Sequence, residues 1–366
     1  MKNRLLSCIV LAFAVLPAGC RAEPEQHTAE NSGPEETAVT AVTAAETTQT
    51  ETTAAPEAEP YTFNPHVYSP MLSPEIPQTH WDAFYHLCDA LREGETTFAC
   101  ENEEAYRWAT DSVVLGHLFP PACMKISGES DDGSVPFENG TGRIYYKMPA
   151  AEYVKRQADF EELVTDVLNS CLEPDDDDFE KCLKLYDYME SNYSYDYASQ
   201  DRVPEDGAHY NTMITKEGIC SELSGVYAYL LMQVGVDAQE VGIFVPEMCH
   251  SWTYVVLDGK GYHIDPTWSL KSDLGTDQLN LEYFMMSDAH RINDGCPVDD
   301  LTVDLLPEYW VSYSSLSFSA SDESFSTQDY ATFDALDEEK KILYYTDLYG
   351  NPCEMHYGSD RNRNAG

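Results

Sequence analysis

Cys220 stands in the run Glu217-Gly218-Ile219-Cys220-Ser221-Glu222-Leu223, directly ahead of a long apolar stretch. His250 follows thirty residues later, and Asp265 fifteen after that. A sulfur, an imidazole and a carboxylate are the parts a thiol hydrolase or acyl-transferase needs. The sulfur attacks a carbonyl carbon, the imidazole carries the proton, and the carboxylate orients the ring. Residue types alone make no site, so the elements around them decide whether the three meet.

Ile219, Leu223, Val226, Tyr227, Leu230, Leu231 and Val234 recur at helical spacing, with Gly235 as a stop. The helix therefore begins around Cys220. Its unpaired N–H groups favour an anion, so the thiol is expected to ionise more easily than a free one at about 8.5. The same groups suit the oxyanion of an acyl intermediate, and Gly218 is expected to leave room for substrate. Residues 239–245 and 251–257 are strand-like. Asp258-Gly259 is a hairpin turn signal, and 262–265 form the return strand. With Leu257 facing Lys260, Trp252 faces Asp265, and His250 is Asp265's diagonal neighbour on one face. A register shift of one residue would separate the pair.

Gly218-Ile219-Cys220, His250-Ser251-Trp252 and Asp265-Pro266-Thr267-Trp268, in this order, resemble the transglutaminase-like superfamily of papain-type folds. Tyr195-Asp196 and the helix with Leu230-Leu231 also match. The resemblance covers about residues 179–270. It implies an α+β core, in which a helix bearing the cysteine packs on an antiparallel sheet bearing the histidine and the acid. It also implies Cys220 as nucleophile, His250 as base and Asp265 as orienting carboxylate. Members of the family cross-link proteins, hydrolyse peptides or amides, or have lost activity. The expected function is thus a thiol enzyme acting on a peptide or protein substrate, by hydrolysis or transfer. The alternatives are an inactive binding module or a structural protein of a cell-envelope complex; a thiol of ordinary reactivity would mark them.

Other residues carry plainer readings. Trp252 and Trp268, with Gly218, are candidates for a substrate groove, although core packing explains both tryptophans equally well. Cys249 is expected to point away from His250 into the core. His263 is expected on the strand surface. Cys220, His250 and Asp265 lack a fourth metal ligand, and the cysteines form no CxxC series, so no metal and no cofactor are expected.

The ends of the chain address location. Lys2 and Arg4 precede an apolar run from Leu5 to Leu16, and Leu16-Pro17-Ala18-Gly19-Cys20 closes it. The run is too short for a bilayer-spanning helix. It resembles a bacterial lipoprotein signal with Cys20 as the lipidated residue. Pro17 departs from that pattern, which prefers an aliphatic residue there. Residues 21–60 are mostly Glu, Thr, Ala and Pro, expected to form a disordered tether between the membrane and a folded body facing outside the cytoplasm. With 65 acidic against 21 basic residues and a formal charge of -44, the chain excludes nucleic acid as a partner.

The folded part divides by pattern into an α/β region at 61–175, a transglutaminase-like domain at 176–300 and a β-rich appendage at 301–366. Helices are expected over 80–92, over 103–117, over 150–172 and from 179. A loop through Pro204, Gly207 and Tyr210 leads to Gly218, and a hairpin is expected within 342–357.

Overall fold

Apolar residues at 81, 84, 87, 88 and 91 share one face of a helix. The chain folds there as α1 (Gln78–Glu93), stopped by Gly94 in the left-handed region at φ 71°. The computed structural model describes residues 59–130, 133–198, 207–245, 248–299, 301–303, 305, 316–327 and 330–358. The targeting segment, Cys20 and nearly all of the tether fall outside the described residues.

After β1 (Thr97–Ala99), the helix expected over 103–117 is two: α2 (Glu103–Ala109) and α3 (Ser112–Leu118). The break is a cap. The Asp111 carboxylate accepts from the N–H groups of Val113 and Val114, which starts a new helix and leaves Val113 exposed. Four short strands follow: β2 (Ile126–Ser127), β3 (Phe137–Glu138), β4 (Thr141–Arg143) and β5 (Tyr145–Tyr146). They pair as β1-β4-β3 and β2-β5.

Next come α4 (Ala150–Cys171) and α5 (Asp178–Asn192). Asp177 and Glu180 form a reciprocal capping box at the start of α5. Then follow β6 (Ser194–Tyr195), α6 (Ala208–Thr215), β7 (Glu217–Gly218) and α7 (Cys220–Gln233). The expected loop through Gly207 and Tyr210 is therefore helical from Ala208; Pro204 lies outside the described residues.

Strands β8 (Asp237–Val245), β9 (Met248–Leu257) and β10 (Lys260–Ile264) form an antiparallel sheet in the order β10-β9-β8. Asp258 and Gly259 both take positive φ, 52° and 74°, as a type I′ hairpin turn requires. Leu257 pairs with Lys260, the expected register. Helix α7 packs against this sheet: Ser224 Oγ donates to the Ser251 carbonyl, and Thr253 Oγ1 donates to that of Ser224. Two short helices, α8 (Lys271–Leu274) and α9 (Asp288–Asn293), precede a sheet of β11 (Thr332–Asp337), β12 (Ile342–Thr346) and β13 (Pro352–His356). The expected hairpin is β12-β13, extended by β11.

Two apolar cores hold these elements. One joins α4, α5, α7 and the sheet to Phe325, Leu343 and Tyr357. The other joins α1, α2 and α3 to Val241, Trp252 and Tyr254 on the sheet. The three sequence stretches thus share cores, and Ala58–Gly366 is one compact unit. Among the described residues, no helix is long and apolar enough to cross a membrane.

Candidate active site

Cys220 is the first residue of α7 and half-buried. Ahead of it, β7 runs parallel to β6 with Gly218 opposite Tyr195, and the Asp196 N–H donates to the Gly218 carbonyl. The Ile219 N–H donates to Glu222, which ties the chain into the helix start. Gly218 has a different role from the one expected. It is buried, and a Cβ there would come within 2.9 Å of the Thr212 side chain on α6. Its missing side chain lets α6 approach.

His250 lies on β9, buried. Its Nε2 donates to Asp265 Oδ2 at 2.6 Å. The Cys220 side chain lies close enough to raise the ring's affinity for a proton. Because Asp265 occupies Nε2, Nδ1 is the nitrogen left for the sulfur. Burial alone would lower the His250 pKa. The Asp265 carboxylate and the nearby Cys220 outweigh burial and push it up to about 9.

Asp265 directly follows β10 and is fully buried. Oδ1 accepts from the N–H groups of Thr267 and Trp268, at 3.0 and 3.3 Å. Oδ2 takes His250 and also Arg291 Nη2 at 3.2 Å. Burial opposes its charge, but His250 and Arg291 together hold the carboxyl below the usual range.

Arg291, on α9, is the residue that sequence reasoning missed. It is fully buried, and its guanidinium lies 4.4 Å from the centre of the Trp252 ring and 4.8 Å from that of Trp268. Nothing local marks it: one arginine in a short polar helix reads as surface. Tyr195, of the Tyr195-Asp196 pair that resembles the family, is a second neighbour. Burial, then the nearby Cys220, push its phenol up to about 12, so it stays protonated.

The two tryptophans separate. Trp252 is fully buried and donates from Nε1 to His263 Nδ1, so it packs the core and lines no groove. Trp268 is half-buried and stacks on His250, with ring centres 4.6 Å apart and planes 12° from parallel. It covers one face of the imidazole. Two further expectations are corrected. His263 is fully buried rather than on the surface, because its Nε2 is held by Asp288 at 3.0 Å while Nδ1 takes the indole. Cys249 is exposed rather than in the core: it does alternate away from His250, but that face of the strand end is open.

Residues 165–266 match the family model of the transglutaminase-like superfamily, a segment that contains Cys220, His250 and Asp265. The chain carries a transglutaminase-like domain. No curated protein matches the chain. Among solved structures, one described as "a Putative Cysteine Protease from Cytophaga hutchinsonii" aligns at 14% identity with a TM-score of 0.26. The alignment covers 32% of this chain and 40% of that one, so the chain spans less than half of that structure.

Proposed function

We propose that the protein is a thiol enzyme with a papain-type core, acting on peptide or amide bonds and anchored to the outer face of a bacterial membrane through a lipid on Cys20. One observation carries the chemistry: the buried His250 ring is held by Asp265 at one nitrogen and lies within interaction range of the Cys220 side chain.

In the proposed reaction, the Cys220 proton passes to His250 Nδ1 as the sulfur attacks the substrate carbonyl and forms a C–S bond. N–H groups at the start of α7 receive the carbonyl oxygen as it gains charge. His250 then gives its proton to the leaving amine as the C–N bond breaks, leaving a thioester. Water or a second amine loses a proton to His250 and attacks the thioester, and the thiolate departs. Water gives hydrolysis; an amine gives transfer. Asp265 and Trp268 hold the ring in its orientation throughout.

The test is a mixture of peptides and amine donors incubated with the full chain and read by mass for loss or gain. Cys220→Ala should abolish both turnover and iodoacetamide labelling at that position. Undiminished turnover in the variant would reject the reading.

A further inference from the structure

Away from the thiol, three side chains from three elements converge. His117 is in the last turn of α3, His209 near the start of α6 and Glu240 in the middle of β8. His117 Nε2 lies 3.1 Å from Glu240 Oε2, and His209 Nε2 lies 3.9 Å from the same oxygen. The two imidazoles meet edge to face, with centres 4.3 Å apart. One ligand atom from each of the three residues lies within 4.8 Å of the others. His209 and Glu240 are buried, and His117 is nearly so.

The protonation pattern calls for a positive charge at this point. His117 Nδ1 lies 2.9 Å from the Val113 carbonyl, which only accepts, so the ring proton sits on Nδ1. Nε2 of the neutral ring then aims a lone pair at a carboxylate oxygen. Either a second proton or a metal ion must lie between them. An imidazole whose Nδ1–H is anchored on a backbone carbonyl is the form that binds metals through Nε2.

Gly225 supplies an independent observation. It lies inside α7, where glycine is less favourable than alanine. A Cβ there would fall 2.1 Å from His209 Nε2. The bare backbone makes room for the imidazole against the helix.

We propose that His117, His209 and Glu240 hold a divalent transition-metal ion of the zinc class, with a fourth position open to water. Two imidazoles and a carboxylate suit such an ion, at bonds of about 2.0–2.2 Å. Small side-chain rotations close the triangle around it. The ion ties α3, α6 and β8 together beneath the first turns of α7, and so braces the helix that begins with Cys220. The three ligands are not the residues of the thiol triad, and the test does not depend on turnover.

The full chain, stripped with a chelator, is titrated with Co2+ as a spectroscopic stand-in and then with Zn2+. The expected result is one Co2+ per chain, with the strong visible bands of four-coordinate cobalt, displaced by Zn2+. Glu240→Gln keeps the side-chain shape and should weaken binding by more than roughly 100-fold, beyond what loss of an outer-shell partner produces. His117→Ala, at the least buried corner, should do the same, with circular dichroism showing both variants folded. Cys220→Ala should leave binding unchanged. The proposal is overturned if no saturable binding occurs, if binding survives in both ligand variants, or if it is lost with Cys220.

Discussion

Asp265 has all of its lone-pair directions engaged: two backbone N–H groups on one oxygen, a ring N–H and a guanidinium on the other. This explains how a fully buried carboxylate stays charged. It also sets a pH dependence. His250 is raised from 6.5 to about 9, so its contribution to stability is complete below about pH 6.5 and is lost as pH rises through about 9. Asp265 is lowered, so its contribution is present above its ordinary value of 3.8 and lost on acidification below it. Asp265→Asn should therefore cost most stability near pH 6 and less near pH 10, with Arg291 losing one of its two carboxylate partners at both. Urea melts at the two values check this, and a gap that widens toward high pH would contradict it. At this scale the sequence marked Cys220, His250 and Asp265, because hairpin register is countable. It did not mark Arg291, whose position depends on a helix 26 residues beyond Asp265 folding back beneath it.

Helix α7 and helix α5 form for different reasons, and their energetics differ accordingly. Along α7, Leu223, Val226, Tyr227, Leu230 and Leu231 are all fully buried, so packing dominates. Leu223→Ala should cost about 2–5 kcal/mol. At α5 the Asp177 cap adds a smaller increment, and Asp177→Ala should cost about 1 kcal/mol. Thermal melts rank the two, and the reverse order would show that the cap, not burial, governs these helices. The same contrast explains what was legible. Long apolar patterns, α1, α4 and α7, were plain, as was the turn at Asp258-Gly259. The break at Asp111 was not, because an apolar pattern continues across it while a single carboxylate restarts the helix. Helix α6 was hidden by its polar composition and by the turn residues ahead of it. Its place depends on Thr212 packing over Gly218 and on His209 packing over Gly225, contacts between distant segments that no local pattern records.

At the scale of the molecule, a strongly acidic chain is organised around two cores that draw on residues from every region between Val67 and Tyr357. The proposed anchor belongs to this scale. Replacing Cys20 with Ser should move the protein from the membrane fraction to the soluble one and remove labelling by a radioactive fatty acid; retention of both would refute lipid attachment there. The tail of the chain closes the structure. Tyr357 stacks on Phe179, and its hydroxyl, with Lys341, binds the buried Glu180, partners 177 and 161 residues apart in sequence. A growing polypeptide that has not yet reached these residues has an acid with no counter-charge where the core must seal. The lysine and the phenol thus act as a latch, and a variant that lacks either should open first where Phe179 meets Tyr357.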